Sequence, residues 1–263
     1  MTGPVVSLFD PLVEFYDAAR PEYPDAHFDA LAGLFRPLTG ARIVEVGAGT
    51  GIATRALRQR GAVVLPVDHG AAMLRRLQTR APTFPTPVQA DAHALPVRSG
   101  WADLVCYAQA WHWTDPARAC AEAARVLKPD GALAVWWNLV RPDGLDWLDR
   151  QHSRIEAANP GWIRGEHHNR PWAAEFASFG WSVQKAVTPW VRTLPVEDYL
   201  VWMHSKSYVA VIGERNGEAA LEDFMTAERA SLLEAFPDGQ IVEPFVTELY
   251  VVRPSTASAV GRD

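Results

Sequence analysis

Cysteine is almost absent from this chain: Cys106 and Cys120 are its only two thiols in 263 residues. They fall in segments that read as a strand and a helix, so they build no disulfide framework, and two thiols cannot complete a structural zinc site. Lysine is nearly as scarce, occurring only at Lys128, Lys185 and Lys206. A phosphate-cradling loop ending in Gly-Lys-Ser or Gly-Lys-Thr is therefore excluded from the first half. The arginine bias among the basic residues reports coding composition and carries no binding task. A basic balance is missing too: 25 basic residues against 31 acidic ones leave a formal charge of -6, the wrong sign for gripping a phosphate backbone. Long apolar runs are also lacking, since stretches such as Ala132-Leu133-Ala134-Val135-Trp136-Trp137 fall far short of the roughly 20 residues of a membrane span. The first residues, Met1-Thr2-Gly3-Pro4, show no basic region followed by an apolar core. The expectation is a cytoplasmic chain with neither nucleic acid nor membrane as a partner.

What is abundant is tryptophan, with 11 residues. Trp147, Trp162, Trp172, Trp181 and Trp190 crowd between about 139 and 195, which suggests an aromatic pocket, while the packing of an irregular core is the alternative. Hydrophobic residues make up 48% of the chain and charged residues 21%, enough for a sizeable core. The length suits one α/β core with an inserted lid.

Strand and helix patterns alternate through the first half, which calls for a parallel sheet covered by helices. Strands are read at 41–46, 63–67, 88–90, 103–108 and 131–137, the last after a turn at Lys128-Pro129-Asp130-Gly131. Helices are read from Ile52 to Arg60, around Ala71 to Leu77 and from Pro116 to Leu127. Upstream, Phe28, Leu31, Leu34 and Phe35 make one apolar face of a helix expected at the sheet edge. After Asn138 the alternation fails for roughly 40 residues, as in an inserted lid. Strand character resumes from Phe179 to Val191, helical patterns run from about 196 to 208 and 217 to 236, and 241–252 alternates like a final strand. The expected organisation is a core with an N-terminal cap over 1–138, a lid over 139–180, returning strands with a helical insertion over 181–252, and a frayed tail over 253–263.

Val46-Gly47-Ala48-Gly49-Thr50-Gly51 places glycines at alternate positions between a strand and a helix. The turn and the helix N-terminus together offer backbone amides to a ligand. A nicotinamide fingerprint would need glycine where bulky Ile52 stands. With an acid closing the second strand at Asp68, the Asp91-Ala92 pair, and Arg125-Val126-Leu127-Lys128-Pro129-Asp130-Gly131, residues 9–138 resemble the class I S-adenosylmethionine-dependent methyltransferases. Tyr16-Asp17-Ala18-Ala19-Arg20-Pro21-Glu22-Tyr23-Pro24 and Ala108-Gln109-Ala110-Trp111-His112-Trp113-Thr114-Asp115-Pro116 resemble the small-molecule branch that includes trans-aconitate methyltransferase-like proteins. The resemblance implies a Rossmann-like, doubly wound, mostly parallel seven-stranded sheet. One strand, near 241–252, would be antiparallel and inserted beside that near 181–191, and a helical and irregular lid would complete the fold. It also implies S-adenosylmethionine as cofactor, S-adenosylhomocysteine as product, a small-molecule substrate, and a monomer or homodimer.

Asp68 stands about 20 residues after the glycine loop, where a carboxylate can accept both ribose hydroxyls; capping of the next helix at Gly70 or Ala71 is the alternative. The resemblance implies that Asp91 accepts from the adenine amine, that the Ala92 amide faces the ring, that Met73 or Leu74 packs on it, that Glu45 and Gly47 organise the methionine amine, and that Ala48, Gly49, His69, Ala108 and Gln109 also bind the cofactor. Tyr16, Tyr23 and Trp111 are candidates to face the sulfonium. Arg20 could meet the methionine carboxylate or make a surface ion pair.

Trp111, His112 and Trp113 are expected over the transferring methyl, with Trp111 and His112 as catalytic residues. His112 is either a general base or a brace for its loop. Trp147 and Tyr208 complete the expected substrate residues, and the acceptor should be apolar or aromatic, including acceptors of secondary metabolism. Glu166-His167-His168 lacks a third ligand, so no metal is expected. Arg141, Arg154, Arg164 and Arg170 interleave with acids and read as a solvated mixed-charge face. Two other functions stay open: a cofactor-binding protein that transfers no methyl, such as a cyclase, and a regulatory module with a degenerate site.

Overall fold

The computed structural model describes residues 20–140, 145–162 and 170–254. In these, β1 (Arg42–Val46), β2 (Val63–Asp68), β3 (Val88–Gln89), β4 (Ala102–Ala108), β5 (Leu127–Val140), β6 (Trp181–Pro195) and β7 (Gln240–Pro254) form one seven-stranded sheet in the order β3-β2-β1-β4-β5-β7-β6. It is Rossmann-like and mostly parallel with one antiparallel pair. The parallel half is fixed by register, for example Val44 beside Leu65 on one side and Val105 on the other.

The helices are α1 (Asp25–Leu34), α2 (Ile52–Gln59), α3 (Ala71–Arg80), α4 (Pro116–Val126), α5 (Asp146–Ala158), α6 (Trp172–Ser178), α7 (Val196–His204), α8 (Ser207–Asn216) and α9 (Glu218–Ala235), with a 3-10 turn at Trp111–Trp113. The chain divides into two compact units. The sheet unit holds 22–139, 170–188 and 246–263, and the helical unit holds 1–21, 140–169 and 189–245.

In the sheet unit, side chains alternate between two cores because successive strand residues point to opposite faces. Val44, Val46, Val105, Tyr107, Leu133, Val135, Trp137, Tyr250 and Val252 enter one core. Ile43, Leu104, Cys106, Ala132, Ala134, Trp136, Leu249 and Val251 enter the other. Helix α4, through Ala119, Cys120, Ala123 and Val126, and α6, through Trp172 and Phe176, cover the first face. Helices α1 and α2 cover the second, through Phe28 and Leu31 and through Ala53 and Leu57. Helix α1 therefore packs on a central face and not at the sheet edge, because Phe28 and Leu31 find their apolar partners on interior strands.

Two other expectations change. Residues 128–131 are not a free turn: β5 already begins at Leu127, and its pairing with β4 shifts register between Ala102 and Leu104. Lys128 in that irregularity pairs with Asp103, and Asp130 accepts from Arg36 at 2.9 Å. The block 139–180 is also divided, because Trp172 and Phe176, one helical turn apart, bury into the sheet core.

The helical unit has its own core of Leu148, Ile155, Tyr199, Leu200, Met203, Val209, Ile212, Phe224, Leu232 and Phe245, among others. Inside it Glu228 is buried and paired with Arg154, while Gln151 donates to Glu228 at 3.2 Å and accepts from Tyr199 at 2.8 Å. A buried ion pair persists only when its remaining polar atoms are satisfied in this way.

Candidate functional site

The glycine loop follows β1, and all three of its alternate glycines have positive φ: +74° at Gly47, +55° at Gly49 and +85° at Gly51. The Val67 carbonyl receives the Gly47 and Ala48 amides at 2.8 and 3.0 Å, tying the loop to β2. A Cβ on Gly47 would run into the Cβ of Ala110, whereas a Cβ on Gly49 would meet no described residue within 4 Å. The loop is thus closed by protein on one side and open at the other.

Asp68 closes β2 with both carboxylate oxygens in use. One accepts from the Gly49 amide at 2.8 Å and the other from the Gly70 amide at 2.7 Å. The helix-capping alternative is realised at Gly70, and the same side chain clamps the glycine loop. Burial raises its pKa against the backbone hydrogen bonds from Gly70, Gly49 and His69.

Glu45 is fully buried, accepts from the Thr54 hydroxyl, and is pushed up to about 8 by desolvation. The His69 carbonyl accepts from Gln89 at 2.9 Å, and Met73 is buried on α3 beside Gly70. Asp91 accepts from both the backbone amide and the ring of His93, at 2.8 and 2.7 Å. The Asp115 amide donates to His93 Nε2 at 3.0 Å, so the His93 proton sits on Nδ1 and points at Asp91. These contacts hold Asp91 below the usual carboxylate range, the His93 amide first among them. Ala92 is partly buried against the sheet core.

After Ala108 the chain turns through Gln109, the one described non-glycine residue with positive φ, at +60°. That conformation is costly for a side chain with Cβ and is held by the Gln109 amide donating to the Trp136 carbonyl at 3.0 Å. The following 3-10 turn sorts the aromatic motif. Trp111 turns inward, 1% exposed, edge-on to Tyr107 at 4.9 Å and beside Phe176 at 5.1 Å. Its ring packs in the sheet core. Trp113 is 48% exposed.

His112 Nδ1 accepts the indole N–H of Trp137 at 3.1 Å. Because an indole can only donate, neutral His112 carries its proton on Nε2.

Tyr23 packs by its ring against His27, Phe28 and Trp136 at 5.5 to 6.2 Å. Arg20 belongs to the helical unit, where its charge acts on Lys206 and Tyr208. Tyr16, Arg141, Arg164 and Glu166-His167-His168 lie outside the described residues.

The tryptophans crowded in sequence fall into two cores. Trp172 stacks on Trp137 at 5.0 Å in the sheet unit, and Trp181 joins the same core. In the helical unit Trp190 stacks on Phe245 at 4.6 Å, Trp162 faces Tyr208 at 5.3 Å, and Trp147 meets Tyr199 and Phe236 edge-on at 5.8 and 5.4 Å. Trp147 is thus interior packing of that unit. Arg154 and Arg170 are each engaged by an acid, Glu228 and Glu175.

Sequence reasoning missed His93 and Trp137, which orient Asp91 and His112, and Thr54 under Glu45. His93 had a local signal in its place two residues after Asp91. Trp137 had none, because it reaches His112 only through strand pairing. Among the described residues no group of three His, Cys, Asp or Glu side chains is placed to hold a metal ion, and no helix is long and apolar enough to cross a membrane.

Residues 44–135 match the family model described as a methyltransferase domain. An uncharacterized methyltransferase-like protein of Schizosaccharomyces pombe is 31% identical over 208 residues, 77% of this chain and 78% of that one. An uncharacterized methyltransferase of Mycobacterium tuberculosis is 39% identical over 140 residues, 53% of this chain. That match spans about half, 55%, of the mycobacterial protein. Among solved structures, a methyltransferase of Geobacter sulfurreducens in complex with S-adenosyl-L-homocysteine is similar in fold, with a TM-score of 0.55 and 15% identity over 95% of this chain and 98% of that one.

Proposed function

The chain belongs to the class I S-adenosylmethionine-dependent methyltransferase family, and from that premise we propose that it moves a methyl group from S-adenosylmethionine to a small-molecule acceptor that is mainly apolar or aromatic, as in secondary metabolism. The motifs around Tyr23 and Trp111 support the branch resembling trans-aconitate methyltransferase-like proteins.

The observation that carries the reading is the side of the glycine loop at Gly49 that no described residue fills, beside the Asp68 carboxylate. These residues fit the cofactor: the turn at Gly49 and the start of α2 suit its methionine end, Asp68 its ribose hydroxyls, and Asp91 with the Ala92 amide its adenine. Buried Glu45 suits the methionine amine, since a nearby cation recovers the cost of its desolvated charge. When bound, the cofactor supplies an electrophilic methyl on a cationic sulfur.

The chain's own contribution is alignment, which is where most of the acceleration of an in-line transfer arises. His112 acts as an Nε2–H donor that orients an acceptor oxygen, and not as the proton remover, because its other nitrogen is engaged by Trp137. The Gln109 turn holds that group at the C-terminal end of β4, the edge at which open α/β sheets bind ligands.

Calorimetric titration with S-adenosylmethionine and S-adenosylhomocysteine tests the cofactor site, and a metabolite screen by thermal shift in the presence of S-adenosylhomocysteine searches for the acceptor. Release of S-adenosylhomocysteine during acceptor turnover is expected. Turnover without its release would replace methyl transfer by a cyclase-like function, and absence of cofactor binding would overturn the whole reading.

A further inference from the structure

The ends of β2 and β3 are joined side by side: Asp68 pairs in register with Gln89, and the Ala90 amide donates to the Asp68 carbonyl at 3.0 Å. Asp91 follows at once, and its carboxylate is used unevenly. Oδ1 accepts both the backbone amide and the ring Nδ1–H of His93, at 2.8 and 2.7 Å, while Oδ2 has no hydrogen-bond partner among the described residues. The Ala92 amide has none among them either. The Asp91 side chain is 56% exposed and that of His93 only 15%. An accessible acceptor thus adjoins a backbone donor in the chain, and a sheltered ring sets the acceptor.

That ring is held from its far side as well. The Asp115 amide donates to His93 Nε2 at 3.0 Å, and Asp115 is fixed as the N-cap of α4, its carboxylate accepting from the Arg118 amide at 3.1 Å. The loop after β3 has other anchors. Leu95 and Val97 are buried, the Leu95 amide donates to Glu122 at 2.6 Å, and Arg125 donates to the Leu95 and Val97 carbonyls at 3.1 and 2.8 Å. These contacts dock the loop on α4 without the imidazole. What the His93 ring adds is the setting of Asp91.

The last torsion of an aspartate is broad, so an isolated carboxylate spreads its oxygens over many directions. We propose that His93 is a positioning residue for recognition of a purine 6-amino group: by engaging Oδ1 twice it fixes that torsion and leaves Oδ2 as the acceptor for the exocyclic amine. The neighbouring Ala92 amide supplies the donor for ring N1, which completes the complement of the Watson–Crick edge of adenine. The inference rests on the cofactor reading above, in which Asp91 receives the adenine, and adds the residue that makes this acceptor selective.

The electrostatics agree with the geometry. The His93 amide first, and its ring after it, hold Asp91 below the usual carboxylate range. Oδ2 therefore meets the base as part of an ionised group, and a charged acceptor makes the stronger hydrogen bond.

The test is calorimetric titration of the full chain with S-adenosylhomocysteine and with its 6-deamino analogue, in which purine replaces adenine. The analogue keeps N1 and lacks only the amine, so the ratio of the two Kd values reads the Asp91 contact. The parent should prefer S-adenosylhomocysteine by about tenfold or more, and Asp91→Ala should bring the ratio near one. His93→Ala should cut the ratio by about threefold or more and leave the Kd of the analogue unchanged. His93→Asn, which places an amide N–H where Nδ1–H stood, should recover most of the preference. Thermal melts confirm that the variants are folded, and a nitrogen NMR spectrum of the parent should show neutral His93 with its proton on Nδ1. A ratio unchanged in His93→Ala, equal weakening of both ligands by that variant, equal ratios in His93→Asn and His93→Ala, or a proton on Nε2 overturns the positioning role and leaves the cofactor reading standing. No binding of S-adenosylhomocysteine to the parent, a parent ratio near one, or the parent ratio kept in Asp91→Ala overturns that reading and this inference with it.

Discussion

Gly47 and Ala110 touch so closely that the Cβ which glycine lacks would overlap the Ala110 methyl. The glycine loop after β1 and the aromatic motif after β4 are thus locked together at a single contact. Gly47→Ala should lower Tm, since its φ of +74° alone costs a residue with Cβ about 1–2 kcal/mol and the collision adds to it. Gly49→Asn is the contrast: asparagine tolerates a φ of +55° and its Cβ meets no atom of the described residues within 4 Å. That variant should keep its Tm and bind S-adenosylmethionine more weakly, and an unaltered affinity would place the cofactor elsewhere.

Replacing Asp68 with Ala removes the acceptor shared by the Gly49 and Gly70 amides. Calorimetry should find S-adenosylmethionine binding weakened by about tenfold or more, as charged hydrogen bonds contribute about 1.5–3 kcal/mol. Asp68→Asn, which keeps one carbonyl acceptor, should fall between Asp68→Ala and the parent. A folded Ala variant with undiminished affinity would remove Asp68 from the site.

Glu45 sets a pH dependence. Its pKa is raised from 4.5 to about 8 by burial, so within that window the folded chain holds a proton that the unfolded chain has released. Stability from this group is present below 4.5 and lost as pH rises toward 8. Urea melts at pH 5 and pH 8 should show the parent losing stability relative to Glu45→Gln. A difference between the two proteins that is flat with pH would contradict the buried-acid account.

His112 is a donor only while Trp137 occupies its Nδ1. Once an acceptor is known, His112→Asn should retain more kcat/KM than His112→Ala, because an amide can still donate, and the Ala variant should lose about tenfold or more. Trp137→Phe should change the nitrogen chemical shifts of His112 in an NMR spectrum as the tautomers interconvert. Equal losses in both His112 variants would sink the donor role.

Trp147→Ala should act on folding. The residue is 8% exposed and packed between Tyr199 and Phe236, where truncation costs about 3–5 kcal/mol. Denaturation with a probe in the helical unit checks it, and a loss below about 1 kcal/mol would show that the ring is not core packing.

The parallel sheet was legible because strands buried on both faces must be short apolar runs, as at Ile43–Val46 and Leu104–Tyr107, each followed by a turn or helix signal. The glycine loop and Asp68 were legible for a related reason: positive φ and a strand-ending carboxylate are local demands that restrict residue type. Contacts between distant segments left no such local signature. Whether Trp172 or Trp147 joined the sheet core, which His112 nitrogen carries the proton, and that Glu243 answers Arg192 were decided only when strands paired and helices packed. Side chains compete for partners in three dimensions, and hydrophobic periodicity records that a residue is buried without recording against what.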